Sequence, residues 1–297
     1  MEKIHYRSLN KYLRETFGCK VYKIAIDGGF TCPNRDGTLD TRGCIFCSAG
    51  GSGDFAQSRN LSIAEQIEQG KTLVSGKLNP LEECRYIAYF QAFTNTYAPV
   101  EVLESKYLEA ISIPEVCAIS IATRPDCLPN EVIDLLMRLN RIKPVWIELG
   151  LQTIHEACAS YIRRGYPLCV YDDAVSRLKA AGLTVITHVI IGLPGETKED
   201  ILATVNYVGK SGVSGIKLQL LHVLRGTDLE KDYQEGKFDV LSEDEYIDIV
   251  CQSIKLLPPD MVIHRITGDG DKKTLVAPLW SANKRHVLNK FHQFLAD

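Results

Sequence analysis

Three cysteines, Cys32, Cys44 and Cys47, lie within one short stretch, separated by eleven and then two residues. Thiolates are soft ligands for zinc and iron. The intervening residues, PNRDGTLDTRG, are turn formers and charges, which predicts a loop. Three thiolates in one loop can wrap a single metal centre. Iron–sulfur clusters are usually held by four cysteines. A three-cysteine set leaves one iron open to an exogenous ligand, as a catalytic zinc site keeps one open position. On spacing alone, two arrangements compete. One is a structural zinc site completed by His5 or a distant cysteine; the other is a [4Fe–4S] cluster with an open iron. The other seven cysteines, at 19, 84, 117, 127, 158, 169 and 251, are scattered and suit small buried hydrophobes.

Further polar residues sit where strands end. Glu148 and Gln152 are four residues apart, at and just beyond the end of an apolar run. A buried carboxylate needs a partner, and a diol offers two hydroxyl donors to it. Arg124 follows a strand-like run; its fork suits an anion, or its neighbour Asp126. Lys217 and Gln219, two apart, share one face of a strand, with His222 just beyond. All three are candidates to meet a substrate, and Lys217 and His222 to take part in its chemistry. Gly192, Pro194 and Gly195 read as a tight turn that lets backbone approach a flat ring. Near the end of the chain, Asp269, Lys272, Lys273 and Trp280 interleave charge with an aromatic, a mixture that can grip phosphates and stack a base or simply be solvated.

These residues need a frame. Strand-like runs at Val21–Asp27, Tyr86–Gln91, Val116–Ala122, Val145–Leu151, Leu183–Ile191 and Gly215–Leu221 alternate with helical stretches. The helices are Ser62–Ser75, Val100–Ile111, Pro129–Arg141, Tyr171–Ala181 and Thr197–Gly209. Ser62 with Glu65, and Thr197 with Asp200, mark helix starts. The strands are apolar on both faces, as in a parallel sheet covered by helices. About six β-α units over some 225 residues fall short of a full eightfold barrel, which usually needs about 250. The expectation is a partial (β/α)6 TIM-like barrel over residues 1–225, including an N-terminal lead-in. An α/β C-terminal extension, 226–297, would pack on it. The extension has a helix from Ser242, a strand at Val262–Ile266, a loop at Thr267–Lys273 and a last helix over Asn283–Leu295. A loop at the C-terminal end of a barrel strand is where such folds put chemistry.

Composition narrows the classes. The chain has 297 residues, formal net charge −3 and 45% hydrophobic residues. That is ordinary for a globular protein and excludes a strongly basic coat protein, though not a local basic patch. No run of about 18 apolar residues predicts a membrane span. The opening MEKIHYRSLNKYLRE lacks the apolar stretch of a secretory signal, so a cytoplasmic location is expected. In that reducing compartment ten cysteines are not a disulfide framework.

The cysteine loop resembles that of the radical S-adenosylmethionine (SAM) enzymes. Their usual loop is C-x3-C-x2-C, with an aromatic residue before the third cysteine, here Phe46. The longer first gap resembles the branch that holds the elongator catalytic subunit and the YhcC/YtqA-like group. IATRPDCL (Ile121–Leu128), ELGLQTI (Glu148–Ile154), Arg164-Gly165-Tyr166 and HVIIGLPGET (His188–Thr197) are similar to motifs of that branch. The similarity covers roughly residues 20–225 and extends into the tail through ITGDG (Ile266–Gly270). The resemblance implies that Cys32, Cys44 and Cys47 ligate three irons of a [4Fe–4S] cluster and that SAM chelates the fourth. It puts Phe46 and the Gly192 turn near the adenine, and Glu148 and Gln152 at the ribose. Gln91, Thr94 and Asn95 stand where the family usually carries a glycine-rich motif for the SAM amino group. Arg124 would pair with the SAM carboxylate or a substrate anion. The implied activity is reductive cleavage of SAM to a 5′-deoxyadenosyl radical, fed by a low-potential donor such as flavodoxin or ferredoxin. The implied substrate is tRNA, at a wobble-uridine side chain, with conversion of carboxymethylaminomethyl to aminomethyl. Alternatives are a small-metabolite substrate, or a non-catalytic Fe–S or zinc protein that binds RNA or a partner.

Overall fold

The computed structural model describes residues 6–76, 83–268 and 270–296. In chain order its strands are β1 (Arg7–Ser8), β2 (Lys20–Ile26), β3 (Cys84–Phe90), β4 (Val116–Thr123), β5 (Val145–Gln152), β6 (Thr184–Ile191), β7 (Gly215–Leu220), β8 (Val223–Leu224), β9 (Val262–Arg265) and β10 (Leu275–Ala277). The helices are α1 (Leu9–Phe17), α2 (Ile63–Ser75), α3 (Val100–Ser112), α4 (Asn130–Asn140), α5 (Glu156–Tyr161), α6 (Leu168–Ala180), α7 (Lys198–Lys210), α8 (Asp228–Gln234), α9 (Glu243–Leu256) and α10 (Lys284–Ala296).

Eight strands form one sheet in the order β1-β9-β7-β6-β5-β4-β3-β2. Every pairing in it is parallel. The strands β2 to β7 follow one another in space as in sequence, each step crossing over through helix, as right-handed β-α units do. The sheet is a partial barrel with helices outside it: β2 and β1 are its two edges. Six barrel strands match the sequence expectation. Two more join them: β9 from the C-terminal region beside β7, and the two-residue β1 beside β9. A four-residue run such as VIHR carries too little periodicity to be assigned to a sheet from sequence alone.

Local signals hold where they were strongest. The Ser62–Glu65 and Thr197–Asp200 pairs form reciprocal capping boxes, and so does Ser242–Glu245 at the start of α9. Gly70 of α2 leaves room for closest approach to β2, since a Cβ there would lie 2.2 Å from Ile24 Cγ2. The largest apolar cluster fills the space between sheet and helices. Its wholly buried members include Ile26, Phe90, Ile119, Ile147 and Leu218.

Inside the barrel, side chains stack in three levels. At the N-terminal end Leu13, Val21, Ile87, Trp146 and Ile186 form an apolar plug. Helix α1 closes it, with Tyr12 against the Trp146 ring at 6.0 Å. The middle level is charged. At the C-terminal end a third cluster joins Ile45, Ile162, Ile190, Leu221, Val223 and Leu229. Burying each such side chain stabilises by about 1.5–3 kcal/mol, which fixes the loop that carries Ile45. No helix among the described residues is long and apolar enough to cross a membrane.

Candidate active site

The loop after β2 is built to hold sulfur. The Asp27 carboxylate accepts from Gly29 N at 2.8 Å and turns the chain out of the strand. Arg35 N and Asp36 N both bond Cys32 O, which closes a turn after the first cysteine. A second turn, Cys47 N to Cys44 O at 3.0 Å, brings the last two cysteines together. Between them Ile45 is the anchor. It is buried, its N–H donates to Ile162 O at 3.2 Å, and its carbonyl accepts from Leu229 N at 3.0 Å. Arg35 reaches back to donate to Ser48 O at 2.6 Å and Cys47 O at 3.2 Å. The eleven-residue gap is thus folded turn, not slack chain.

Cys32, Cys44 and Cys47 all line one cavity at the C-terminal end of the barrel. Among the described residues no three Cys, His, Asp or Glu side chains converge as the ligands of a single ion would. His5, the suggested fourth zinc ligand, lies outside the described residues. Asn34 Nδ2 points at Cys44 Sγ at 3.5 Å and is fixed by Arg163 O at 2.7 Å. The Cys44 thiol is pulled down to about 6, first by the hydrogen bond from Cys47, then by Arg124, Asn34 and Arg163. The same bond, and then burial, push Cys47 up.

Phe46, Gln91, Thr94, Arg124, Glu148 and Gln152 line the same cavity, as do Lys217, Gln219 and His222. Asn95 and Gly192 do not. The Asn95 amide is wholly buried and donates to Phe90 O at 3.1 Å and Ala122 O at 2.9 Å, which ties β3 to β4. Gly192 turns with φ +91° against Leu241. Arg124 donates twice to Asp126, at 2.9 and 2.7 Å, and its guanidinium lies 5.0 Å from the Tyr166 ring. Among the described residues the anion beside Arg124 is Asp126. Trp280 stays away from the cavity: its indole donates to Leu241 O at 3.0 Å and packs on Tyr246. Lys272 and Lys273 are exposed and also off the cavity, and Asp269 lies outside the described residues. His222 meets the ITGDG segment, because a Cβ on Gly268 would lie 2.5 Å from its ring.

Non-glycine residues with positive φ gather here. Ser52 (+67°), Phe93 (+61°) and Gln152 (+70°) line the cavity, and Arg163 (+56°) adjoins Cys44. Such backbone costs of order 1–3 kcal/mol per residue and persists where surroundings impose it. The strand β5 slips register between Gly150 and Gln152. The Gln152 side chain folds back over Gly150, and its Oε1 is buried with no hydrogen-bond partner among the described residues. An orphaned acceptor facing a cavity wants a donor.

Below the thiols the cavity reaches the charged level. Glu148 is 0% exposed and is met from four strands. Lys23 Nζ lies 2.6 Å away, His188 Nε2 2.7 Å away, and Lys217 Nζ and Ser120 Oγ also bond it. Lys217 further donates to Tyr89 Oη at 3.1 Å and sits over that ring. Burial opposes the Glu148 charge, but Lys217, Lys23 and His188 outweigh it and hold the carboxyl well below the usual range. Burial lowers His188 to about 4, so the imidazole is neutral. Lys217 drops to about 7, by burial first, with Lys23 and Arg265 adding repulsion that Glu148 only partly offsets. Sequence reading did not single out Lys23, Tyr89, His188 and Arg265. A lysine amid the apolar Val21–Ile26 run was the available signal, since an unpaired buried ammonium is costly.

The profile of the radical SAM superfamily matches residues 41–208, more than half of the chain. The chain belongs to the radical SAM superfamily. Cys44 and Cys47 lie inside that match and Cys32 just before it. The profile of the radical SAM C-terminal domain matches residues 213–297. The uncharacterized protein YtqA of Bacillus subtilis is 47% identical over 98% of this chain and 90% of its own length. The tRNA uridine(34) acetyltransferase of Methanocaldococcus infernus is 25% identical over 77% of the chain but 44% of its own length. Among solved structures, the archaeal Elp3 of that organism shares the fold, with a TM-score of 0.62 at 18% identity, over 91% of this chain and 63% of that one. As a radical SAM family member the chain is an enzyme.

Proposed function

We propose that Cys32, Cys44 and Cys47 hold a [4Fe–4S] cluster whose open iron binds SAM, and that the enzyme acts on a wobble-uridine side chain of tRNA. The observation that carries the first part is that all three cysteines line one cavity at the C-terminal face of a parallel partial barrel. The donor set fits the group. Three thiolates leave one iron short, and the orphaned Gln152 Oε1 offers an acceptor to a nucleoside hydroxyl or ammonium. When bound, the pair supplies a 5′-deoxyadenosyl radical able to abstract hydrogen from an unactivated C–H bond.

The chain's own residues have simpler tasks. Arg124, Arg163 and Asn34 favour the thiolate at Cys44. Phe46 and Phe93 give the cavity apolar wall. Thr94, held by its N–H to Thr31 O at 3.1 Å, and Gln91, held by Ser52 O at 2.7 Å, present polar atoms on the opposite wall. The apolar plug under α1 shuts the far end, so substrate enters from the thiol side.

The tRNA part rests on the relative that acts on tRNA uridine(34) and on the fold shared with Elp3. Conversion of carboxymethylaminomethyl to aminomethyl uridine is the reaction proposed: the N–C bond to the carboxymethyl carbon breaks after that carbon loses a hydrogen atom and one further electron and gains water, and the two carbons leave as glyoxylate. Flavodoxin or ferredoxin would deliver the electron. Two measurements test the reading. Anaerobic reconstitution should give an iron–sulfur electron paramagnetic resonance spectrum that changes on adding SAM, with 5′-deoxyadenosine formed under reductant. A tightly held zinc ion, or a spectrum indifferent to SAM, would overturn the cluster assignment. Deleting the gene should raise carboxymethylaminomethyl uridine in tRNA at the expense of aminomethyl forms; unchanged nucleosides would overturn the substrate.

A further inference from the structure

The charged middle of the barrel is not needed to hold a cluster, yet it opens into the same cavity. Its composition is unbalanced. Glu148 is one carboxylate, and two ammonium groups, Lys23 and Lys217, contact it. His188, the third basic partner, is neutral. With Lys217 protonated, the groups in contact with Glu148 carry one excess positive charge in a place where water is scarce, and Arg265 lines the same cavity. Lys217 is the ammonium that lines the cavity, and it is 4% exposed. The groups that face it are Glu148 from β5, Lys23 from β2, Tyr89 from β3, His188 from β6 and Arg265 from β9. Gln219, two residues along the same face of β7, puts an amide next to it on the cavity wall.

A buried cation in excess wants an anion. One ammonium, Lys217, beside one neutral amide, Gln219, suits a planar carboxylate, which can accept from both. We infer that Lys217 and Gln219 form a carboxylate-binding subsite at the inner end of the cavity, and that Lys217 decides whether a carboxylated substrate is accepted. On the wobble-uridine reading, on which this assignment of the occupant rests, the group held there is the carboxymethyl end of the side chain. An amine product lacks that carboxylate and is released. The lowered proton affinity of Lys217 adds a signature: an anion at its side raises that affinity, so binding takes up a proton above pH 7.

The test uses reconstituted enzyme with SAM bound, and three probes: 5-carboxymethylaminomethyluridine, 5-aminomethyluridine and N-methylglycine. Calorimetry in two buffers of different ionisation enthalpy reads both affinity and proton uptake. The carboxylated nucleoside should bind at least about tenfold more tightly than the amine, with uptake approaching about one proton at pH 8.5 and falling towards none at pH 6. Lys217→Met should bring the two nucleosides to equal affinity, Lys217→Arg should keep part of the preference, and SAM affinity should stay the same in both. If N-methylglycine binds with proton uptake while neither nucleoside binds, the subsite stands and the uridine reading falls. If no carboxylate binds with proton uptake, the subsite is overturned, and this arm needs no variant. It is also overturned if Lys217→Met weakens SAM by the same factor, because the anion is then the methionine carboxylate of SAM.

Discussion

The mouth of the barrel and its middle level are both polar, and they are held in opposite ways. At the mouth, the cysteine loop is fixed by turns, backbone hydrogen bonds and one apolar anchor, Ile45, while its thiols stay at a cavity wall. In the middle, Glu148 is fixed by side chains from β2, β4, β6 and β7, all on the rigid sheet. A loop can be reshaped around a metal centre without disturbing the sheet. A buried carboxylate ringed by cations cannot lose a member without leaving charge stranded. Chemistry at the mouth is thus separable from stability, and the middle level is not.

That contrast can be broken by experiment. Its largest test is at the mouth: Cys32→Ala, Cys44→Ala or Cys47→Ala should each lower 5′-deoxyadenosine formation by roughly a thousandfold or more. The apoprotein's urea midpoint should barely move; a large drop would mean the thiols are structural. In the middle, Glu148→Gln should cost about 3–5 kcal/mol in apoprotein denaturation, because Lys23 and Lys217 remain buried beside each other without their counter-charge. A loss under about 1 kcal/mol would show that water reaches this level.

The pH dependence is a subtler probe. His188 titrates at about 4 in the folded protein against about 6.5 unfolded, so the unfolded chain binds the proton first as pH falls. Its contribution to stability is lost between about pH 6.5 and 4. Lys217 works in the same sense higher up: with a folded value of about 7 against about 10.4 unfolded, stability rises with pH across that window. His188→Gln should flatten the acid limb of apoprotein stability and leave the alkaline limb intact. An unchanged acid limb would put the proton elsewhere. The smallest effect belongs to neither region. Ser62→Ala breaks the capping box of α2 and should cost about 1 kcal/mol with radical chemistry unaltered.

How far each region was legible follows from the range of its signals. The cysteine spacing, Phe46 and the six strand runs are local patterns; the structure has the six strands on one parallel sheet and the cysteines and Phe46 in the loop after β2. Lys217 and Gln219 were readable as one face of a strand because the strand period is two. Trp280 and Asn95 look alike in sequence to residues that bind ligands. The Trp280 indole donates to Leu241 and the Asn95 amide to Phe90 and Ala122, so both also tie elements together. Arg124 met its own neighbour, Asp126, a pairing visible two residues away. Lys23 and His188 were hidden inside apolar runs, where only their oddity hinted at a buried partner.

By itself the chain order determined which elements form, where they are capped and which loop carries sulfur, since capping, periodicity and turn chemistry act within a few residues. Only the tertiary structure decided that Lys23, Glu148, His188 and Lys217, up to 194 positions apart in number, share one level, and that β9 completes the sheet beside β7. Barrel curvature and strand register set those meetings, and both are properties of the whole sheet.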